Sequence, residues 1–193
     1  MPKIDNDKFY SSAIEKYGTT AKGVNWNSEK TQKLRFKTIL KLLPKELQKY
    51  TILDAGCGFG DFYFYLEKNN NQPKNYIGVD CHDDMVSIAS NNTGHEILNI
   101  DIVQDRLPKA DFIVCSGAMN VLSNYETYLF MRNCYLSSNI AFIFNILHGD
   151  KESETYNYLT KKQIELFAKE LSVKKVTFLD GYLDADITVR FDK

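Results

Sequence analysis

The sequence predicts an α/β protein: a doubly wound, mostly parallel sheet of seven strands, with helices on both faces and a C-terminal antiparallel hairpin. Three observations predict it. Short apolar runs alternate with helix-like segments from Tyr50 onward. A glycine-rich loop, Gly56-Cys-Gly58-Phe-Gly60, closes the first of those runs and opens a helix. The last two strand-like segments have no helix between them. Alternation calls for parallel strands joined by helical crossovers. Two neighbouring strands without a crossover pair antiparallel.

The elements follow in order. Met1 to Trp26 reads as a polar and aromatic arm. Ser28 is placed to cap a helix in which Phe36, Ile39, Leu40 and Leu43 share one face, and Pro44 stops it. Strands are expected at 50–54, 76–80, 96–100, 111–115 and 140–144, and helices at about 61–68 and 83–90. Ser123 with Glu126, and Thr160 with Gln163, form capping-box pairs for helices reaching about Leu136 and Leu171. Val173 to Leu179 and Ile187 to Phe191 form the hairpin, around Asp180-Gly181. The chain reads as one domain. Residues 1–49 form an N-terminal arm and helix, a candidate lid, and residues 50–193 the core.

Composition narrows the function. With 24 basic and 25 acidic side chains the net charge is −1, which lacks the broad positive field of a nucleic-acid binder. No run is long and apolar enough for a membrane span, and no secretory signal is read at the start. The four cysteines show neither CxxC pairs nor a disulfide framework, so a reducing, cytoplasmic setting is expected.

The glycine loop carries the chemistry. A chain that leaves a strand and at once enters a helix needs backbone angles that glycine tolerates. The helix start offers unpaired amide hydrogens and a positive dipole end to a carboxylate or phosphate. The dinucleotide fingerprint GxGxxG is not met: the third glycine comes one residue early, and Asp61 stands in its place. Asp54 and Asp61 flank the loop, and two carboxylates favour a ligand with an ammonium group over a bare diphosphate. Asp80 ends the second strand, where an acid accepts hydrogen bonds from a ribose diol.

Ile52-Leu-Asp-Ala-Gly-Cys-Gly-Phe-Gly60, Tyr76-Ile-Gly-Val-Asp80, Asp101-Ile102 and Asp111-Phe-Ile-Val-Cys-Ser116 together resemble the successive motifs of the class I S-adenosylmethionine-dependent methyltransferases. The resemblance spans about Tyr50 to Leu147 and implies a Rossmann-like methyltransferase fold and S-adenosylmethionine as cofactor. It also implies roles. Asp54, with the backbone around Gly56, Cys57 and Gly58, would hold the methionine portion. Asp80 would bind the ribose, Cys81 and Met85 would flank the adenine, and Asp101 and Ile102 would meet its edge. Ser116 and Gly117 would lie beside the sulfonium. A preceding aromatic and arginine would close over the methionine end. Trp26 and Arg35 stand in those positions, and Arg35 would pair with the cofactor carboxylate. A Trp covering core surface and an Arg on a solvated helix face are the plainer readings of the same two residues.

Two further constellations bear on chemistry. Cys57, Cys81 and Cys115 fall near strand ends with His82 adjacent, but small residues in tight turns account for them, and no metal is expected. Methyl transfer proceeds in line at a carbon the sulfonium already activates, so alignment carries much of the rate. No catalytic residue is therefore assigned; Asn120 and His148 are the first to test. The segment Ser116-Gly-Ala-Met-Asn120 lacks the Asn-Pro-Pro-Tyr pattern of adenine-amino methyltransferases, and no Pro-Cys nucleophile is present. A small-molecule acceptor is expected, its pocket shaped by the arm and by Leu147 to Thr160, with protein or nucleic acid as the alternative. A nicotinamide-dependent oxidoreductase and a non-catalytic cofactor-binding domain are the rival classes.

Overall fold

The computed structural model describes residues 6–24 and 28–193. Helix α1 (Asn6–Tyr17) and a 3-10 turn (Ala21–Val24) lead into α2 (Glu29–Leu42). Then follow β1 (Thr51–Ala55), α3 (Asp61–Lys68), β2 (Asn75–Asp80), α4 (Asp83–Thr93), β3 (Glu96–Asn99) and β4 (Ala110–Ser116). A 3-10 turn (Ala118–Val121) precedes α5 (Asn124–Ser137) and β5 (Ser138–His148). The two-residue β6 (Tyr158–Leu159), α6 (Lys161–Glu170), β7 (Lys175–Leu179) and β8 (Asp186–Asp192) complete the chain.

The main path of the sheet is β3-β2-β1-β4-β5-β8-β7, with β6 pairing β5 off that path. Strands β1 to β6 pair parallel, while β8 pairs antiparallel with both β5 and β7. The fold class expected from the sequence is therefore observed, with one addition: eight strands, not seven. The arm expected over Met1 to Trp26 contains a helix, α1.

Sequence periodicity explains the layers. Successive residues of a strand face opposite sides of the sheet. Leu53, Ile113, Phe142 and Phe144 join Phe130 and Met131 of α5 and Ile164 of α6 in one core. Their neighbours Ile52, Phe112, Val114 and Ile143 join Phe36 and Ile39 of α2 and Phe62 and Leu66 of α3 in the other. Central strands buried on both faces read as continuous apolar runs, which is why they were visible in the sequence. Helix starts follow local chemistry: Ser28 caps α2 by accepting from the Thr31 amide (3.2 Å), and capping boxes at Ser123/Glu126 and Thr160/Gln163 open α5 and α6.

The order of strands reverses between β1 and β4. Loops leaving the two strands there diverge to opposite faces and leave a crevice at the carboxyl ends.

Candidate active site

β1 ends at Ala55 and α3 starts at Asp61, so the chain turns within five residues. Gly56, Gly58 and Gly60 take φ values of +76°, +55° and +85°, where L side chains are strained. Gly56 also permits a close approach: a Cβ there would lie 2.4 Å from the Ala118 Cβ. The loop is pinned to β2, because the Gly56 and Cys57 amides donate to the Val79 carbonyl (2.8 and 3.0 Å).

This loop forms one wall of a cavity of about 990 Å³. Asp54, Gly56, Cys57, Gly58, Asp80, Cys81, Met85, Asp101, Ile102, Ser116, Gly117, Arg35 and Asn120 all line it. Residues from Asp54 to Asn120 thus meet in one space because four neighbouring parallel strands end on the same edge, and α2 brings Arg35 to it.

The electrostatics of the cavity are lopsided. Asp54 is 3% exposed, and burial raises its carboxyl pKa to about 7 against the lowering effect of the Tyr76 hydroxyl, which donates to it (2.7 Å). Burial likewise raises Asp80, opposed by the Gly58 and His82 amides, which donate to its Oδ2 (3.0 Å) and Oδ1 (3.2 Å). Asp61 is raised by burial too, opposed by the donated hydrogen bond from Gln32 Nε2 (2.7 Å). Among the described residues, Arg35 is the only lysine or arginine lining the cavity, and Asp186 accepts from its Nε (2.7 Å) and its Nη2. Two buried carboxyls and the half-buried Asp61, all held above their usual range, make a site that favours a positively charged ligand.

These features match a known family. Residues 52–137, from β1 through α5, fit the family model described as a methyltransferase domain. Over those residues this chain is similar to methyltransferase domains.

Solved methyltransferases share its fold. The magnesium protoporphyrin IX methyltransferase from Synechocystis PCC 6803 superposes with a TM-score of 0.73 at 12% identity, covering 97% of each chain. An S-adenosylmethionine-dependent methyltransferase from Archaeoglobus fulgidus gives 0.65 at 12% identity, covering 96% of this chain and 100% of that one. One from Mesorhizobium loti gives 0.64 at 14% identity, covering 81% and 96%. A comparison with curated protein sequences finds no match.

The residues expected at the site fare differently. Asp101 lines the cavity with its carboxylate in a local turn: Oδ1 accepts from the Val103 amide (2.9 Å) and Oδ2 from Gln104 Nε2 (2.6 Å). Asn120 lines the cavity but serves the backbone, its Oδ1 accepting from the Leu147 amide (3.1 Å) and its carbonyl from the Asn157 amide (2.6 Å). His148 lies elsewhere. It does not line the cavity, because β5 runs on through it to pair with β6, and its Nδ1–H donates to the Leu159 carbonyl (2.9 Å). Trp26 lies outside the described residues. Arg35 is no residue of a solvated helix face: it is 8% exposed. The cysteines are not brought together as a set; instead Asp80, Cys81 and His82 bring one ligand-type atom each within 4.8 Å of one another.

Among the lining residues to which the sequence assigned no role are the aromatics Phe9 and Tyr10 of α1, Phe130 of α5 and Tyr156 of the loop before β6. Tyr10 meets the His82 ring edge-on at 5.1 Å, and burial, with Asp80 nearby, pushes its hydroxyl pKa up. The adjacent aromatics Phe9-Tyr10 in a polar arm were the available signal.

Proposed function

We propose that this methyltransferase takes its methyl group from S-adenosylmethionine and delivers it to a small-molecule acceptor. One observation carries the reading: the strand-end acids Asp54, Asp80 and Asp101 open into a single cavity with the glycine loop. The donor set fits that cofactor group by group. Asp54 suits an ammonium, Asp80 a ribose diol and Asp101 an adenine amino group, while Arg35 is the cation for a carboxylate. Cys81 and Met85 would flank the adenine, the Ile102 amide would meet its edge, and Ser116 and Gly117 would lie beside the sulfonium; all of them line the cavity. The glycine loop agrees, since side chains at Gly56 or Gly58 would crowd Ala118 or Val24.

When bound, the cofactor supplies a methyl carbon made electrophilic by its positive sulfur. The acceptor's electron pair forms the new bond to that carbon, and the electrons of the broken sulfur–carbon bond stay on sulfur as a neutral thioether. The protein's residues bind and orient. The raised carboxyls of Asp54, Asp61 and Asp80 favour the cationic donor over the neutral product, which draws exchange in the productive direction. Tyr10 and Tyr156 add aromatic wall to the cavity.

The acceptor is read as a small molecule because the cavity is recessed and partly apolar, and net charge −1 gives no field for a nucleic acid. The test incubates the protein with S-adenosylmethionine labelled in its methyl group and a cell extract separated by size. Label in the fraction below about 1 kDa is expected. Label confined to protein or nucleic acid would overturn the small-molecule reading while leaving the donor intact.

A further inference from the structure

Ser116, at the end of β4, and Arg35, on α2, both line the cavity, and an unbroken run of hydrogen bonds joins them through the interior. The Ser116 hydroxyl donates to Asn145 Oδ1 (2.9 Å), and Asn145 Nδ2 donates to Thr188 Oγ1 (2.6 Å). Thr188 donates to the Tyr182 hydroxyl (2.8 Å), which donates to Asp186 Oδ1 (3.4 Å). Asp186 then accepts from two nitrogens of Arg35. Each hydroxyl uses its one proton once, so the directions are mutually consistent.

The sheet builds this run. Ser116 and Asn145 are cross-strand partners in β4 and β5, and Asn145 and Thr188 are partners in β5 and β8. Tyr182 sits in the turn between β7 and β8 and reaches back to the strands. Asn145 and Thr188 are 0% exposed and Asp186 5%. An apolar cluster could fill this space at no loss of stability, since buried ion pairs and polar runs seldom outperform packed hydrophobes. The run is also no proton path, because the Asn145 amide cannot take up and pass on a proton. What a fully satisfied buried network does supply is rigidity between its ends.

We infer that Tyr182 and Asp186 are positioning residues for the amino-acid end of the cofactor. They hold the Arg35 guanidinium where the cofactor carboxylate binds, at a set spacing from Ser116 beside the sulfonium. The β7–β8 hairpin is thereby a specificity element of the site as well as the edge of the sheet. This rests on the cofactor proposed above.

The test compares S-adenosylhomocysteine with 5′-methylthioadenosine, which keeps the adenosine and the thioether but lacks the amino-acid end. Dissociation constants are measured by calorimetry for the full chain, for Asp186→Glu and for Tyr182→Phe. Asp186→Glu keeps the charge and shifts it by one methylene; Tyr182→Phe removes only the hydroxyl. S-adenosylhomocysteine should bind about tenfold more weakly to Asp186→Glu and about threefold more weakly to Tyr182→Phe. Binding of 5′-methylthioadenosine should change by less than about twofold in both. Tyr182→Phe is mild enough to decide the matter if Asp186→Glu does not fold. Equal losses for the two compounds, or no loss for either, would assign the network to folding alone and overturn the inference. An unaltered protein that binds neither compound would remove the cofactor reading and this inference with it.

Discussion

The Tyr76 hydroxyl donates to Asp54 Oδ2 at 2.7 Å, and both side chains are buried where β1 and β2 run side by side. That bond favours the ionised carboxyl, yet burial wins and raises Asp54 to about 7. An ammonium group beside Asp54 would reverse the balance and draw off the proton. Binding of S-adenosylhomocysteine should therefore release a proton near pH 6.5 and strengthen from pH 6 to pH 8. Calorimetry in buffers of different ionisation enthalpy counts that proton. Asp54→Asn should remove both the release and the pH dependence; a wild-type protein that releases none would refute the assignment.

The same group sets a stability trend with the opposite slope. In the folded, ligand-free chain Asp54 keeps its proton up to about pH 7, whereas the unfolded chain loses it near 3.8. The native state thus holds more protons across that window, so the Asp54 contribution is fully present below the unfolded value and is lost as pH rises toward 7. Urea denaturation at pH 5 and pH 7 should show a smaller difference in Asp54→Asn than in the unaltered protein.

Glycine replacements should separate backbone strain from crowding. Gly56→Ala meets both a φ of +76° and the Ala118 methyl at 2.4 Å, and should cost about 2–4 kcal/mol. Gly94→Ala has a φ of +66° with nothing within 4 Å, and should cost about 1–2 kcal/mol. Equal losses in urea denaturation would show that the approach of the loop to Ala118 is not constraining.

Arg35 and Asp186 form a buried pair linking α2 to β8. Asp186→Ala strands the guanidinium and should cost about 3–5 kcal/mol of folding stability. Replacing both together, Arg35→Met with Asp186→Leu, should come close to neutral in stability while losing affinity for S-adenosylhomocysteine. A double variant that is as unstable as Asp186→Ala would contradict this.

Tyr10 stands on a helix outside the core and lines the cavity beside His82. Tyr10→Ala should weaken S-adenosylhomocysteine binding by about three- to tenfold, in keeping with the loss of one aromatic contact. Its melting temperature should hardly move, because Tyr10 belongs to neither apolar core. Unchanged affinity would place Tyr10 outside the binding surface.

How much of this was legible beforehand follows from where the free energy lies. Central strands such as Thr51–Ala55 and Ala110–Ser116 are buried on both faces, so their apolar runs stood out. Both capping boxes were readable because their chemistry is local. Helix α1 was not, because it offers few apolar positions and sets Phe9 and Tyr10 on the cavity wall instead of in the core. β5 was read too short: Asn145 interrupts its apolar run, and its polarity is satisfied only by Ser116, Thr188 and Tyr182, residues 29 to 43 positions away. β6 is two residues long and exists only through pairing with β5. For the site, the acids at strand ends were legible because topology alone brings them together. The partners that tune them, Tyr76 for Asp54 and Asp186 for Arg35, depend on side-chain packing and left no pattern to read.

The most direct measurement is thermal unfolding of the full chain with S-adenosylhomocysteine or NADH at about 100 times the dissociation constant expected of a cofactor site. S-adenosylhomocysteine should stabilise the fold by about 2.7 kcal/mol, raising the melting temperature by about 5–10 °C, and NADH should leave it in place. A shift with NADH and none with S-adenosylhomocysteine would contradict the assignment of the glycine loop and its three strand-end acids to a methyl donor.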